Sequence, residues 1–490
     1  MTQVLPSNAT GLSIAEEQTP GSLPVTPIWT PLEPNTYSDF GGQVKLVARD
    51  PINSSRQLKR GVLTDLDAAA SFTSDFVTGS LAGLMQGFMF ADWRYKTSLT
   101  DTAVSGTQYT VASGGAGFLT NDLLFADGHA VSGNNGLKLV TASSGTTVSA
   151  SGLSVETPPA SATITRVGHQ GASGDITLTV SGGVATLGST TLDFTTLGLI
   201  PGEWVWVGGD SAGLQFATAA DNGFYRVSTV AAHAVVFDRQ PSTSVTDTGS
   251  GKTIQIFFGH VLKNESNPAL IKLRTYCIER YIAASQYEYI NGAGPNTLAV
   301  NIKKADKVTL DLSFKGLTAT QATVAKSGTR NSLPSQVAFN ASSDFSRLRL
   351  YDDTGAASLA TYVDEIKLTI DNGIDPVKAV SALGGIDINY GDFKVSGSVS
   401  CFFTSITAIQ AVLANDKVSL DFAMVAKSGS QALPVGYLFD VPQLSLGDGR
   451  LKAEKDKPLM LPVTVDASAH DTYNHTLMLV NFPYLPVAAL

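Results

Sequence analysis

The sequence predicts a mainly β protein: two β-sandwich modules, each with a short flanking α-helix, plus an inserted all-β region of small barrels or sandwiches. Three observations predict this class. Charged residues are only 15% of the 490 residues, and Ala, Gly, Ser, Thr and Val are abundant, which is typical of β-sheet with many turns. Asn-Gly pairs stand between alternating apolar runs. Two distant stretches share one order of elements, which indicates a repeated module.

The repeated module is predicted from an ordered series of matches. Gly61 and Gly385 each begin a strand-like run, and a short apolar helix follows in both stretches. Later matches are closer together in sequence: Tyr287 pairs with Tyr437 at an offset of 150, against 324 for the two glycines. The smaller offset predicts that the first copy carries an insertion after its helix. A repeated module implies pseudo-symmetry, which bears on how the protein assembles.

These matches divide the chain into an extended arm, a first module in two pieces, an insertion, a linker and a second module. In that order, the predicted boundaries are 1–40, 41–93 with 263–316, 94–262, 317–360 and 361–490.

The predicted arm holds five prolines between Pro20 and Pro34, with Trp29 and Leu32 among them. Because proline disfavours helices and central strands, this segment is expected to be extended. An arm with a tryptophan packs either on its own body or on a neighbouring molecule, and we favour the neighbour.

Two Asn-Gly pairs, Asn135-Gly136 and Asn222-Gly223, stand between apolar runs of the insertion. Asn-Gly between such runs is the strongest short-range hairpin signal. The insertion is therefore expected to hold two related small β units, looped out of the first module.

Composition narrows the function. The net charge is −9 with a pI near 5.2, which argues against wrapping nucleic acid, since phosphate neutralisation needs Lys and Arg. No apolar stretch is long enough to cross a bilayer, and the first residues lack a signal-peptide pattern, so the chain is expected to fold in a cytoplasm. Cys277 and Cys401 lie in strand-like runs and are expected to be buried, reduced thiols.

No motif supports catalysis or a bound cofactor. Residues 249–253 end like a phosphate-binding loop, but Thr246 stands where that loop needs glycine, and a strand-like run follows instead of a helix. His470, Asp471 and His475 lack a third firm ligand for a metal. No Gly-x-Ser-x-Gly elbow stands on a strand–helix turn either. We therefore predict no enzyme, no cofactor and no metal site.

Five acidic residues lie in or near the Gly-led strands of the two copies: Asp65, Asp67, Asp75, Asp387 and Asp392. They can belong to an ordinary solvent-facing side of a strand. Alternatively, they line an internal channel, where carboxylates repel DNA phosphates and prevent DNA from sticking.

The sequence resembles the major tail tube proteins of bacteriophages with long, flexible tails. The resemblance covers most of the chain outside the insertion and rests on residues 29–32, 56–61, 68–72, 278–281, 286–289, 307–316 and 391–398.

The resemblance implies that four strands of each module join those of neighbours in a β-barrel around a lumen. Stacked rings would form a tube that holds the tape measure protein and later conducts DNA without binding it specifically. Some members carry a duplicated module and build a pseudo-six-fold ring from three chains, and the two copies here point to that homotrimer. The further partners implied are the tail terminator and distal tail proteins, and the implied location is the virion tail, assembled in the host cytoplasm. The insertion departs from the minimal module and is expected to project outward as decoration.

Two alternatives stay open. The chain could be another phage structural component, such as a capsid decoration or tail-tip protein. It could instead carry a carbohydrate-binding insertion, for which Trp204 and Trp206 are the suggestive aromatic pair.

Overall fold

The computed structural model is mainly β, as the sequence predicts, and the part of the chain that it describes is 53% strand and holds two α-helices. It describes residues 6–49, 51–52, 54, 56–57, 59–79, 81–241, 244–333, 336–352, 358–359, 362–428 and 432–490. The first residues of the predicted arm, 1–5, and the predicted first residue of the second module, 361, lie outside the described residues.

Four strands and one helix precede the insertion. They are β1 (Gly11–Glu16), β2 (Ile28–Leu32), β3 (Pro34–Arg49), β4 (Lys59–Asp75) and α1 (Ala82–Met89). The helix α1 buries Leu84, Met85 and Phe88, which recur at helical spacing. It ends at Phe90, which has a left-handed φ of 50°.

The insertion contains twelve strands, and a thirteenth leads back to the body. They are β5 (Ser98–Val104), β6 (Gln108–Val111), β7 (Asp122–Asp127), β8 (Gly136–Ser143), β9 (Thr147–Ala150), β10 (Thr163–Gln170), β11 (Thr177–Ser181), β12 (Val184–Gly188), β13 (Trp204–Val207), β14 (Gly223–Ala231), β15 (Ala234–Arg239), β16 (Gln255–Phe258) and β17 (His260–Lys263). β5 to β10 close into a six-stranded barrel in the order β5-β6-β9-β8-β7-β10. β11 to β16 surround a second core and join the barrel where β16 pairs with β10.

The hairpin signal at the two Asn-Gly pairs does not correspond to two-residue turns. Each glycine begins a strand, β8 or β14, that pairs with β7 or β13 across a longer loop. The Asn135 side chain accepts a hydrogen bond from the His129 N–H at 2.9 Å, and the Asn222 side chain accepts one from the Phe216 N–H at 2.9 Å. In both units the asparagine therefore closes the loop by bonding a backbone amide six residues earlier, instead of occupying a two-residue turn.

The rest of the chain returns to the body of the protein. Its elements are β18 (Tyr276–Ala283), β19 (Gln286–Lys303), β20 (Thr309–Gly316), β21 (Thr318–Ala322), β22 (Thr329–Arg330), β23 (Phe345–Asp352), β24 (Val363–Asp371), β25 (Asp375–Lys378), β26 (Gly385–Asn389), β27 (Lys394–Phe402), α2 (Thr407–Ala414), β28 (Val418–Ser428), β29 (Leu433–Asp448), β30 (Met460–Ala467) and β31 (Met478–Phe482). The segment predicted as a linker, 317–360, thus contributes the paired strands β21, β22 and β23.

Eight antiparallel strands form one continuous layer of the body, in the order β3-β4-β20-β19-β24-β27-β30-β29. The first four strands form one half of this layer and the last four form the other. The two halves join where β19 pairs with β24 over seven residues, from Thr297 opposite Asp371 to Lys303 opposite Glu365. We call this layer the long sheet.

A second layer covers one face of the long sheet in each half. β1, β18, the first part of β19 and β21 cover the first half, whereas β23, β28, the first part of β29 and β31 cover the second. The core between the layers is apolar and rich in aromatic rings, including Phe72 stacked on Phe314 and Phe422 stacked on Phe439. Each half is therefore a β-sandwich with one flanking helix.

The predicted arm packs on its own chain instead of projecting as an arm. β1 pairs with β18 along six residues, and β2 pairs with β1. Trp29 is buried with its ring 6.3 Å from that of Tyr289. Its indole N–H donates to the Ser327 carbonyl at 3.0 Å. The expectation that Trp29 packs on a neighbour is wrong, because apolar positions of β1 and β2 complete the core of the first sandwich.

The insertion is docked against the second half instead of being looped out. Trp206, Phe224 and Phe257 of the insertion share one buried cluster with Leu438 and Val480 of the second half. Strand β17 also extends the outer layer by pairing with β31. The insertion therefore covers the outer face of the second sandwich.

Candidate assembly surface

Three of the five predicted acidic residues share the solvent face of the long sheet. The core-facing positions of β4 include Ala70 and Phe72. The opposite face of the strand carries Asp65, Asp67 and Asp75. Because side chains of a strand alternate between faces, residues separated by an even number of positions lie on one side. The sequence pattern of β4 thus places these carboxylates in one row.

Neighbouring lysines hold this row of carboxylates. The Lys378 ammonium contacts the carboxylates of both Asp65 and Asp67. The hydrogen bond from Lys378 holds the pKa of Asp65 below its usual value. The Lys307 Nζ lies 2.7 Å from Asp75 Oδ1. The two lysines thus partly balance the charge of this row.

The other two predicted acidic residues lie elsewhere. Asp387 belongs to β26, which pairs with β25 in a separate two-stranded sheet, and its carboxylate accepts a hydrogen bond from the Ile388 N–H at 2.8 Å. Asp392 is exposed between β26 and β27. The structure therefore does not place Asp387 and Asp392 in the row formed by Asp65, Asp67 and Asp75.

Sequence reasoning missed most of the charged groups on this face. The long sheet also presents four further acidic side chains and four lysines away from the core: Asp311, Glu365, Asp371, Asp466, Lys303, Lys315, Lys367 and Lys394. These eight charges cancel, and β3 and β4 together also carry four acidic and four basic side chains: Asp39, Asp65, Asp67, Asp75, Lys45, Arg49, Lys59 and Arg60. Strict polar–apolar alternation in β20, β24 and β30 was the available signal.

Both ends of the long sheet have an unpaired edge within the part of the chain that the structure describes. β3 pairs with β4 on one side only, and residues 445–448 of β29 pair with β30 on one side only. Unpaired edges expose backbone N–H and C=O groups and favour pairing with another chain. The long sheet is therefore a candidate assembly surface at both of its ends.

The motifs weighed as catalytic or metal sites have structural contacts. Lys252 donates to the Ala212 carbonyl at 2.5 Å, and the strand β16 follows. His475 is buried, and burial lowers its pKa to about 3. Within the described ranges no three His, Cys, Asp or Glu side chains gather as metal ligands would. Cys277 and Cys401 are buried as predicted, and burial raises the pKa of each thiol to about 11.

The two tryptophans weighed as a saccharide platform are core residues. Trp204 is fully buried and Trp206 nearly so, at 0% and 7% exposure. Trp206 packs edge-on against Phe224 at 4.9 Å between ring centroids. The aromatic-platform hypothesis for this pair is wrong, because both rings lie where the insertion meets the second half.

The fold defines a class: a β-sandwich protein with exposed strand edges, which is suited to building assemblies. A family model described as phage tail tube protein matches residues 158–467, which is more than half of the chain. The chain belongs to this family of phage tail tube proteins, and membership locates it in the virion tail. No curated protein sequence matches the chain. None of the described helices is long and apolar enough to cross a membrane.

Proposed function

We propose that this protein is a duplicated tail tube subunit, three copies of which close into a pseudo-six-fold ring. The long sheet carries the proposal. Each half contributes four strands in the same order, and the halves are joined edge to edge by β19 and β24. Three copies of eight strands then make a closed barrel of 24 strands, which removes the unpaired edges.

The two halves match element by element, which supports a duplication. Counterparts run from β1 and β23 through α1 and α2 to β21 and β31, so we draw the modules at about residues 11–93 with 263–322 and 345–482. Helix α1 begins at Ala82 and α2 at Thr407, an offset of 325. Both helices are followed by a left-handed residue, Phe90 or Asn415. The remaining segment, 94–262, is the insertion.

The solvent face of the long sheet is the proposed lumen wall. Its charged side chains stand among small hydroxyl residues, including Ser71, Ser313, Ser396 and Ser398. Such a surface offers few aromatic rings or excess cations to hold a passing nucleic acid. Stacked rings would therefore hold the tape measure protein and conduct DNA during ejection. Asp65, Asp67 and Asp75 would face the lumen, and Asp392, the counterpart of Asp67 at the offset of 325, would lie at its margin.

Electron microscopy of tails containing this protein tests the proposal. We expect stacked rings in which the long sheet lines the lumen and the insertion lies outside it. A tube whose lumen is lined by the outer-layer strands β23, β28 and β31 instead would contradict the assignment. The competing capsid-decoration or tail-tip role predicts density for this chain on the capsid or at one end of the tail. The tail terminator and distal tail proteins would contact only the terminal rings.

A further inference from the structure

The seam within one chain has two parts. Besides the β19–β24 pairing, the β25–β26 hairpin of the second half packs on the first half. Ile374 and Ile388 of this hairpin are buried with Phe90 and Leu317 of the first half. The Lys315 Nζ donates to the Ile374 carbonyl at 2.7 Å. Strand pairing and hairpin packing therefore stabilise one joint.

The hairpin has a counterpart in the first half, formed by the distal parts of β3 and β4. Leu46 lies opposite Leu63 and Val47 opposite Val62, as Pro376 lies opposite Ile388 and Val377 opposite Asp387. Corresponding residues of β3 and β25 differ by 330 in number, and those of β4 and β26 differ by 325. Leu63, at 45% exposure, is the counterpart of Ile388, at 6%, and Val44, at 54%, is the counterpart of Ile374, at 0%. The first-half hairpin thus lacks the apolar cover that its counterpart has.

The register of the missing joint follows from pairs across the long sheet. Leu298 lies opposite Leu312 and then Phe72, whereas Leu446 lies opposite Val465 and then Gly397. Phe72 and Gly397 differ by the helix offset of 325, so Leu446 is the counterpart of Leu298.

The partner strand is assigned in the same way. Ile370 lies opposite Val395, and Phe40 lies opposite Ala70. Because Ala70 and Val395 also differ by 325, Phe40 is the counterpart of Ile370. Within the chain, Leu298 lies opposite Ile370. Leu446 and Phe40 therefore correspond to this pair, but each lies on an edge strand and has no such partner within one chain.

We propose that β29 of one copy pairs antiparallel with β3 of a second copy, with Leu446 opposite Phe40, and that the exposed β3–β4 hairpin packs on the second half of its neighbour. The partner is a second copy of this chain, because the joint repeats one that the chain already contains. The inference rests on the proposed duplicated ring and adds its register. Ser445 then lies opposite Gly41, and Gly447 lies opposite Asp39.

Cysteine pairs test the register in assembled rings. Residues directly opposite on antiparallel strands fall within disulfide range. Phe40→Cys with Leu446→Cys should give covalently linked chains on a non-reducing gel. Phe40→Cys with Ser445→Cys is the matched control, because a one-residue slip turns the second side chain to the other face. Leu298→Cys with Ile370→Cys should link within one chain.

The outcomes separate this inference from the proposed function. Linkage by the control pair, or rings without linkage by either pair, would overturn the register and leave the ring intact. Failure of the unmodified protein to form any ring would overturn the proposed function itself.

A second variant keeps the inference testable if the cysteine proteins do not assemble. Leu63→Asp should leave the chain folded, because Leu63 is half-exposed within one chain. It should strongly reduce ring formation, because a neighbouring copy would cover the introduced carboxylate. Val184→Asp, at the equally exposed Val184 of the insertion, should assemble normally. Equal assembly of both variants would contradict the proposed hairpin contact.

Discussion

The two halves of the body share an order of elements but differ in what covers them. The first half buries its helix, since Phe88 is 0% exposed and Trp93 and Leu262 belong to the same cluster. The second half leaves its helix open, with Leu413, the counterpart of Phe88 at the offset of 325, at 81% exposure. The outer layers differ in the opposite sense, because the β-rich body of the insertion packs on the outer layer of the second half. The two halves therefore share a strand order, while the added segments give each half a different surface.

The largest effect should separate the two helices. Phe88→Ala should lower the free energy of unfolding by about 4 kcal/mol, because it removes a fully buried ring. Leu413→Ala, at the corresponding position, should change it by less than about 0.5 kcal/mol. Denaturant unfolding of the unassembled chain measures both. Equal losses would mean that the two helices are covered alike.

The next largest effect concerns the contact between the insertion and the second half. Arg226 of the insertion is buried, with its Nη1 3.1 Å from Oδ1 of the buried Asp440. Burial by itself lowers the pKa of Arg226, but the carboxylates of Asp440 and Asp238 outweigh burial and raise it. Arg226→Ala should cost about 3 kcal/mol or more, because Asp440 stays buried without its cation.

Thermal unfolding of this variant should be compared with that of Arg450→Ala, which breaks a surface pair in which the arginine is 87% exposed. We expect the surface variant to unfold at nearly the same temperature as the unmodified protein, because exposed ion pairs contribute little to stability. A small loss for Arg226→Ala would show that the insertion does not depend on this contact.

A pH effect should arise at the strand that joins the insertion to the second half. Burial and, to a smaller extent, the Lys96 cation lower the pKa of His260 to about 4. A histidine with a depressed folded pKa stays neutral while the unfolded chain protonates, so stability is lost as pH falls below about 6.5. We expect a loss of about 2 kcal/mol between about pH 7 and pH 5 from this residue.

His260→Gln should weaken this pH dependence while its amide oxygen can still accept the Lys96 N–H that His260 Nδ1 accepts at 3.1 Å. Unfolding measured at several pH values checks the slope. An unchanged slope would show that His260 does not control acid sensitivity.

The smallest effect concerns the hairpin that joins the two halves. Lys378→Ala removes exposed ion pairs with Asp65 and Asp67, and it should cost less than about 1 kcal/mol. The loss should shrink as salt rises, because exposed charges are screened. A large, salt-independent loss would show that the hairpin depends on Lys378 for more than charge.

The sequence predicts the order of elements better than the packing. The helices and Gly-led strands recur at nearly constant offsets, so the repeat is visible without coordinates. The strand β1 cannot be recognised from the sequence alone, because its partner β18 lies more than 250 residues away and the prolines beside it favour an extended segment. The same lack of a local partner explains why β23 falls in the predicted linker.

One signal for the docked insertion was available. The run 204–207 is apolar at every position, and all four residues are buried. A strand without polar alternation is buried on both faces, which is inconsistent with a decoration attached only by its ends. The row of Asp65, Asp67 and Asp75 was also predictable from the period of two. The lysines that balance the row, Lys307 and Lys378, were missed because only the fold brings them next to β4.

The mass of the smallest closed ring shows whether three chains form it. Three chains of 51.2 kDa give about 154 kDa, and native mass spectrometry of rings released from tails would measure it. We expect that mass, with six similar modules around the lumen. A ring of six chains, at twice the mass, would contradict the claim that the two halves of one chain occupy neighbouring positions in a single ring of six modules.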